Sequence, residues 1–547
     1  MTRPKPGTGT DPISRTPVPT AGIIPATITR SQLFANGKEA LARMTNPHEV
    51  RPGIRLRDLL PDASFINAED VQVVSCSSDS RSCQPGDLFV AVSGENRDGH
   101  DYIADALARG ASALIVERPV PGVSVPVCVV RDSREALGRI CQALAGNPSR
   151  RLKVIGVTGT NGKTTTSYLI AGVLGAGDYP TGVMGTLGCT DGRRMEPAPF
   201  GTSLTTPTAP VLARWLDRIA EAHCTHAVME VSSHALVQNR VAGINFDMAC
   251  VTNVRHDHLD YHGTWENYAR AKERIFEHLL PEGVAVINAD DHGAAEFLDR
   301  LQHPTLTVGI NRPAEITAQI IEQSISDQTF LLTAGSETMP VRTALIGTHN
   351  VYNCLIAAAV GFAYGLDMAT VVRGLESVET VAGRLEKVEC GQPFNVLVDY
   401  AHTPDALEEV LSTLKPLTQG RLICVFGAGG DRDRSKRPWM GRAVDRLADV
   451  TVITTDNPRN EDPEEIAADL LTGFRRPGLV HTILDRQEAI SWALRHAEPG
   501  DTVLVAGKGH ETYQIIGDQT LHFDDREVIR DTLYEGVPAS PRYRRAA

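Results

Sequence analysis

The sequence predicts an α/β protein built from three successive domains. Three observations carry that reading. The chain has 547 residues, which at roughly 100–200 residues per domain makes three or four units. Short apolar runs alternate with amphipathic helical stretches along most of its length, the pattern of layered α/β folds. The texture of that alternation resets twice, near Arg151 and near residues 383–384. Hydrophobic residues at 42% and charged residues at 22% supply cores of ordinary globular kind.

Composition also excludes partners. A formal net charge of −13 speaks against binding a phosphate backbone, so no nucleic acid is expected. No apolar run approaches the roughly 20 residues that span a bilayer. The start lacks the apolar stretch of a secretory leader. Ten scattered cysteines, none in a CxxC pair, read as thiols of a reduced, cytoplasmic protein.

In chain order, residues 1–52 open with MTRPKPGTGTDPISRTPVPT and read as a largely unstructured tail, with SQLFANGKEALARM able to form a short helix. No chemistry is expected there. Residues 53–150 hold VQVVSCSSDSR, GDLFVAV, helical YIADALARG and the apolar runs ASALIVE and VPVCVV, a small α/β domain. Residues 151–383 start with the buried strand RLKVIGV, a glycine turn and the helix SYLIAGVLG, followed by HAVMEV, MACVTNV and GVAVINAD. Residues 384–547 read as a Rossmann-like sheet. Its strands FNVLVDY, RLICVFGAGG, DVTVITTDNPR and DTVLVAGKGH end in polar tips, with helices such as PDALEEVLSTL between them. Open α/β sheets bind ligands at the carboxyl ends of their strands, so chemistry is expected at those tips.

The glycine turn is Gly159-Thr160-Asn161-Gly162-Lys163-Thr164, with Thr165 next. Placed between a strand and a helix, its backbone N–H groups and the helix N-terminus favour phosphate. Lys163 suits β- and γ-phosphates and the Thr164 hydroxyl suits Mg²⁺. The P-loop match is imperfect, since Val157 stands at the first glycine position. GAGGDR fails as a dinucleotide fingerprint, because its third glycine position falls on Arg432. HDHLDYH approaches the HxHxDH of dizinc hydrolases, but Tyr261 replaces the last histidine.

The spelling GTNGKTTT resembles the phosphate loop of the Mur ligases and, less closely, of folylpolyglutamate synthetases. The likeness to Mur ligases runs from about Leu56 to Ile529. It implies a first domain for a UDP-sugar, a central P-loop ATPase-like domain and a C-terminal domain for an amino acid. It also implies ATP as substrate, Mg²⁺ as cofactor and a monomeric enzyme. By that resemblance Asn350 and Asn353 of GTHNVYN hold adenine, although an Asn there also caps a helix. Arg384 of GRLE and Asp399 of VDYAHTPDAL close on ribose and phosphate. His402 stands open between a catalytic and a local structural role.

The resemblance also makes Glu230 and His258 metal-site residues with Thr164, and Lys272 of YARAKERIF a carbamylated lysine. The bland alternative for Glu230 is a cap on the following turn, and on composition alone Lys272 is an exposed helix lysine. Ser80, in SSDSR, belongs to the UDP-sugar loop. Thr205, Thr206, Ser232, Gln238 and Arg240 match positions that hold the muramoyl peptide. Arg240 has a planar fork fit for carboxylate or pyrophosphate, or else for a structural salt bridge. Asp456-Asn457-Pro458-Arg459 resembles the signature of the diaminopimelate-adding branch. A guanidinium there can grip the carboxylate that distinguishes diaminopimelate from lysine. Arg432 is a second clamp, and Glu511 with the Gly507 backbone takes the distal ammonium. The implied reaction joins meso-diaminopimelate to UDP-N-acetylmuramoyl-L-alanyl-D-glutamate through an acyl phosphate. A lysine-adding ligase is the alternative, which Arg459 opposes. A nucleotide-dependent switch or kinase is a more distant one, which would not need the third-domain clamp.

Overall fold

A computed structural model describes residues 43–45, 53–94, 97–197 and 204–536. Three sheets follow one another along the chain. The first has six strands in the order Arg43–Thr45, Ser75–Ser77, Leu88–Val90, Ala113–Val116, Val127–Val129 and Ser64–Ile66. Its inner pairs are parallel and its two outer strands antiparallel. The helix Ser133–Leu144, capped by the Asp132 carboxylate, lays Ile140, Cys141 and Leu144 onto Leu88, Val90 and Ile115.

The strand Arg43–Thr45 corrects the reading of residues 1–52. Arg43 and Met44, expected at the end of a helix, instead pair with Ser77 and Cys76. An edge offering free backbone groups outweighs the weak helical propensity of a short segment. The rest of that helix lies outside the described residues.

The central sheet has eleven strands. Its parallel heart runs Thr181–Gly185, His226–Glu230, Lys153–Thr158, Phe246–Val251, Leu279–Asn288, with an antiparallel meander of Ile316–Gln323, Gln328–Ala334 and Glu337–Thr343 at one edge. Lys153–Thr158 sits in the middle, buried from Val154 onward, as a strand covered on both faces must be. The helices Lys163–Ala176 and Thr348–Ala363 pack on one face around Ile155, Val157, Leu169 and Leu355. The third sheet runs Glu386–Lys387, Asn395–Asp399, Thr502–Ala506, Leu422–Phe426, Val450–Ile453 and His481–Thr482, all parallel but the first. Pro404–Leu414, Arg437–Leu447 and Pro463–Leu471 cover one face, and Arg486–His496 with Asp525–Gly536 cover the other. The carboxyl ends of the central and third sheets face a shared cleft.

Candidate active site

The cleft has a volume of about 430 Å³ and is lined from the central and third sheets. Its floor is the turn after Lys153–Thr158. Gly159 and Gly162 have φ of 150° and 85°. A Cβ on Gly159 would lie 1.8 Å from Thr252 Oγ1, and one on Gly162 would lie 2.5 Å from Asn353 Oδ1. Side chains are thus excluded at both positions by backbone conformation and by space. Lys163 Nζ donates to the carbonyls of Gly159 (2.8 Å) and Thr160 (2.9 Å), and burial lowers its pKa. Thr160, Asn161, Thr164 and Thr165 line the cleft beside it.

Glu230 ends a central strand and is buried. Its carboxylate accepts from Thr164 Oγ1 (2.9 Å), Thr186 Oγ1 (2.9 Å) and Thr186 N (2.8 Å). It therefore does not cap the turn that follows it but bridges the phosphate loop to Thr186, a residue that no motif marked. Gly185 makes room, since a Cβ there would stand 2.1 Å from Glu230 Oε1. His258 has a left-handed backbone (φ 53°), lines the cleft and lies 3.5 Å from Asp257; burial lowers its pKa.

Lys272 is not an exposed helix lysine. It is 1% exposed, lies behind the cleft wall, and donates from Nζ to Gly159 O at 2.8 Å. Its ammonium stands 4.6 Å from the Tyr268 ring centroid. Burial, then the Lys163 charge, push its pKa well below the ordinary lysine value.

Thr205, Ser232 and Arg240 also line the cleft. Thr206 and Gln238 stand behind them. Thr206 Oγ1 donates to Glu230 O and accepts from Ser232 N, both at 2.9 Å. Arg240 donates to two neutral oxygens, Gln238 Oε1 (2.6 Å) and Thr206 O (2.8 Å). Ser80 sits in the first sheet's domain, buried at the start of the turn Ser80–Ser82, away from the cleft.

Asn350 and Asn353 line the cleft yet also hold the helix Thr348–Ala363 to the phosphate loop. Asn350 Nδ2 donates to Ile346 O (2.8 Å), Asn353 Nδ2 to Asn350 Oδ1 (3.0 Å), and Thr166 Oγ1 to Asn353 Oδ1 (3.1 Å). From the third sheet, Arg384 Nη2 reaches Thr164 Oγ1 at 3.2 Å while its guanidinium covers Tyr400. Asp399 accepts from Leu385 N and Ala401 N, both at 2.7 Å, and burial raises its pKa. His402 Nδ1 is 2.7 Å from Tyr400 O and the residue lines the cleft; burial lowers its pKa to about 4. It thus has a local partner and a place on the cleft wall.

The far end is made by Asp456, Asn457, Arg459, Arg432, Gly507 and Glu511, all lining the cleft. Pro458, between Asn457 and Arg459, does not line the cleft. Gly429 and Gly430 let that loop pack, since a Cβ on Gly430 would stand 1.9 Å from Pro458 O. Steric room for the loop, not a dinucleotide, explains the glycines of GAGGDR. Arg459 has φ 52° and donates to Gly430 O at 2.7 Å. Lys508, unmarked by any motif, lies fully buried under Glu511. A buried lysine inside a glycine-rich string leaves no periodic signal to find.

Family models match three stretches of the chain: the Mur ligase family catalytic domain at residues 72–144, the Mur ligase middle domain at 157–361, and the Mur ligase glutamate ligase domain at 383–509. The UDP-N-acetylmuramoyl-L-alanyl-D-glutamate--2,6-diaminopimelate ligase of Geobacillus thermodenitrificans is 45% identical over 471 residues, 85% of this chain and 95% of that protein. The ligase of the same name from Bacillus licheniformis is 42% identical over 479 residues, 86% of this chain and 97% of the relative. A solved structure of a ligase bearing that name is 34% identical with a TM-score of 0.62, covering 88% of this chain and 99% of that one. With these likenesses spanning all three sheets, the chain belongs to the Mur ligase family.

Proposed function

We propose that this enzyme is an ATP-dependent ligase that adds meso-diaminopimelate to UDP-N-acetylmuramoyl-L-alanyl-D-glutamate in peptidoglycan precursor synthesis. The observation that carries the proposal is one cleft in which Arg384 of the third sheet meets Thr164 of the phosphate loop, with Asp456, Arg459 and Glu511 at its far end. The nucleotide and the amino acid then approach the acceptor from opposite sides. The dipeptidyl end of the acceptor lies along Thr205, Ser232 and Arg240, its UDP-sugar toward the loop of Ser80. The three domains divide near residues 150 and 383. The enzyme works as a cytoplasmic monomer; no described helix is long and apolar enough to cross a membrane.

Lys163 and the backbone N–H groups of the loop neutralise the phosphates as the D-glutamate carboxylate attacks the γ-phosphorus and ADP leaves. The amine of diaminopimelate attacks the resulting acyl phosphate, and phosphate departs from the tetrahedral intermediate. Arg384 and Asp399 bring the third domain over the nucleotide, excluding water from the acyl phosphate.

The donor set fits Mg²⁺. Thr164 Oγ1 and Glu230 Oε2 already lie 2.9 Å apart. Among the described residues no group of three His, Cys, Asp or Glu side chains is gathered for a metal. One carboxylate and a hydroxyl suit a hard ion that completes its shell with phosphate oxygens and water. Thr164, Glu230 and His258 would hold it, and it would neutralise charge on the transferring phosphoryl group. Lys272 supports the reading as a carbamate site. Its lowered pKa favours the neutral amine that CO₂ requires.

The test is phosphate release from ATP with UDP-N-acetylmuramoyl-L-alanyl-D-glutamate, run with and without diaminopimelate. Release that depends on both is expected. Release that needs lysine instead, or neither amino acid, overturns the reading.

A further inference from the structure

Glu511 is the residue that the proposed reaction assigns to the distal ammonium of diaminopimelate, yet what holds it lies below the cleft. Lys508 is fully buried and does not line the cleft. Its Nζ donates to Glu511 Oε2 at 3.2 Å, to Asn457 Oδ1 at 3.4 Å and to the Tyr513 carbonyl. Three donors meeting three acceptors leave the ammonium one orientation. Asn457 closes the network, accepting from Ile515 N at 2.9 Å and donating from Nδ2 to Glu511 Oε2 at 2.9 Å. Oε2 therefore receives two floor donors. Oε1 has a 3.4 Å contact from Tyr513 Oη and is the oxygen left with most capacity for a ligand.

Lys508 and Arg486 are the buried cations beside Asp456 and Glu511, with Arg486 paired to Asp525 at 2.7 Å. We propose that Lys508 is a positioning residue that orients Glu511 and keeps it charged to receive the amino-acid ammonium; this rests on the diaminopimelate-ligase reading.

Burial raises the pKa of Glu511, the Lys508 charge pulls it down, and Asp456 raises it. The other titratable groups facing it are Tyr513 on the adjoining hairpin, Arg486 at the start of its helix and Tyr400 after the strand Asn395–Asp399. Without Lys508 the carboxyl rises further and is protonated at higher pH. Raising the pH through that value restores the anion, so KM for diaminopimelate falls as pH rises.

The experiment measures kcat and KM for all three substrates as a function of pH, below the range in which the substrate amine loses its proton. Lys508→Met is expected to raise KM for diaminopimelate by about tenfold or more, since a buried charged contact is lost. KM for ATP and the UDP-dipeptide is expected to stay within about twofold, showing an intact fold. The acidic limb of log kcat/KM for diaminopimelate moves up by about one pH unit or more, a tenfold change in ionisation. Glu511→Gln removes that limb, and adding Lys508→Met to Glu511→Gln is expected to change KM by no more than about twofold, because the lysine acts through the glutamate. The double variant leaves no buried Glu511 carboxylate without its cation, so it answers the question even where Lys508→Met alone fails to fold. KM values that rise together for all substrates, an unmoved limb, or a further tenfold loss in the double variant overturns the role of Lys508. Wild type that does not use diaminopimelate overturns the ligase reading instead.

Discussion

Lys272 and Arg459 carry the most exposed consequences at the scale of single residues. Lys272 is sealed behind the phosphate loop with its Nζ on Gly159 O, a place where an ordinary ammonium is costly. A carbamate there exchanges a cation for an anion facing the nucleotide side. Lys272→Ala is expected to reduce activity by roughly 10³-fold, the scale on which removal of one preorganised charge acts, and millimolar short-chain carboxylates are expected to restore part of it. NMR of the active enzyme under ¹³CO₂ reads the carbamate directly, and a bare amine would remove this role. Arg459 tests specificity. Lysine binding would leave its guanidinium without an anion in a closed site, at a cost of about 2–5 kcal/mol. Wild type is expected to prefer meso-diaminopimelate over L-lysine by about 10⁴-fold. Arg459→Ala is expected to damage diaminopimelate use far more than residual lysine use. An unchanged ratio of the two kcat/KM values would move the clamp elsewhere.

At the scale of elements, the strand Arg43–Thr45 decides where the chain can be cut. It shields the edge of Ser75–Ser77, next to the turn that holds Ser80. Deleting residues 1–42 keeps it, and activity within about twofold of wild type is expected, since no candidate site residue lies in that stretch. Deleting 1–50 removes it and bares an edge strand. The expected result is a lower melting temperature, roughly 2–4 °C for each kcal/mol lost, with KM for the UDP-dipeptide rising. Scanning calorimetry of the two truncations decides it; equal melting would mean that the strand contributes nothing. The phosphate loop shows the same dependence on neighbours, since Gly162 is required by Asn353 on another helix as much as by its own turn.

At the scale of the whole molecule, the proposed reaction requires the third sheet to meet the central one. Besides Arg384 on Thr164, Arg255 after a central strand meets Glu409 on the helix Pro404–Leu414 at 3.2 Å. The His349 imidazole, 3.6 Å away, and then the charge of Arg255 hold the Glu409 carboxyl down at about 2. A depressed carboxylate keeps its stabilising charge above its unfolded value and loses it only as pH falls toward 2, so this link is constant between pH 6 and 9. Both side chains are partly exposed, which limits such a pair to about 1 kcal/mol. Glu409→Gln is accordingly expected to lower kcat/KM for ATP by up to about fivefold at low salt, with the gap closing as ionic strength rises. A variant equal to wild type at low salt would show that this contact does not assist closure.

The sequence by itself determined the three α/β sheets, the phosphate loop and most of the residues that meet in the cleft. Period and turn chemistry are local, and polar residues at strand ends mark the carboxyl edge of a parallel sheet. GTNGKTTT, DNPR and GKGHE could be read because each packs its chemistry into a few consecutive positions. Tertiary structure alone decided the rest. Thr186 reaches Glu230 from another strand, Lys508 meets Asn457 of a different loop, and Arg43–Thr45 pairs with a strand thirty residues on. These are contacts between segments distant in sequence, where burial and an available partner, rather than periodicity or motif, fix what a side chain does. His402 is held locally by the Tyr400 carbonyl, and its place on the cleft wall appears only once the strand tip is folded against the central sheet.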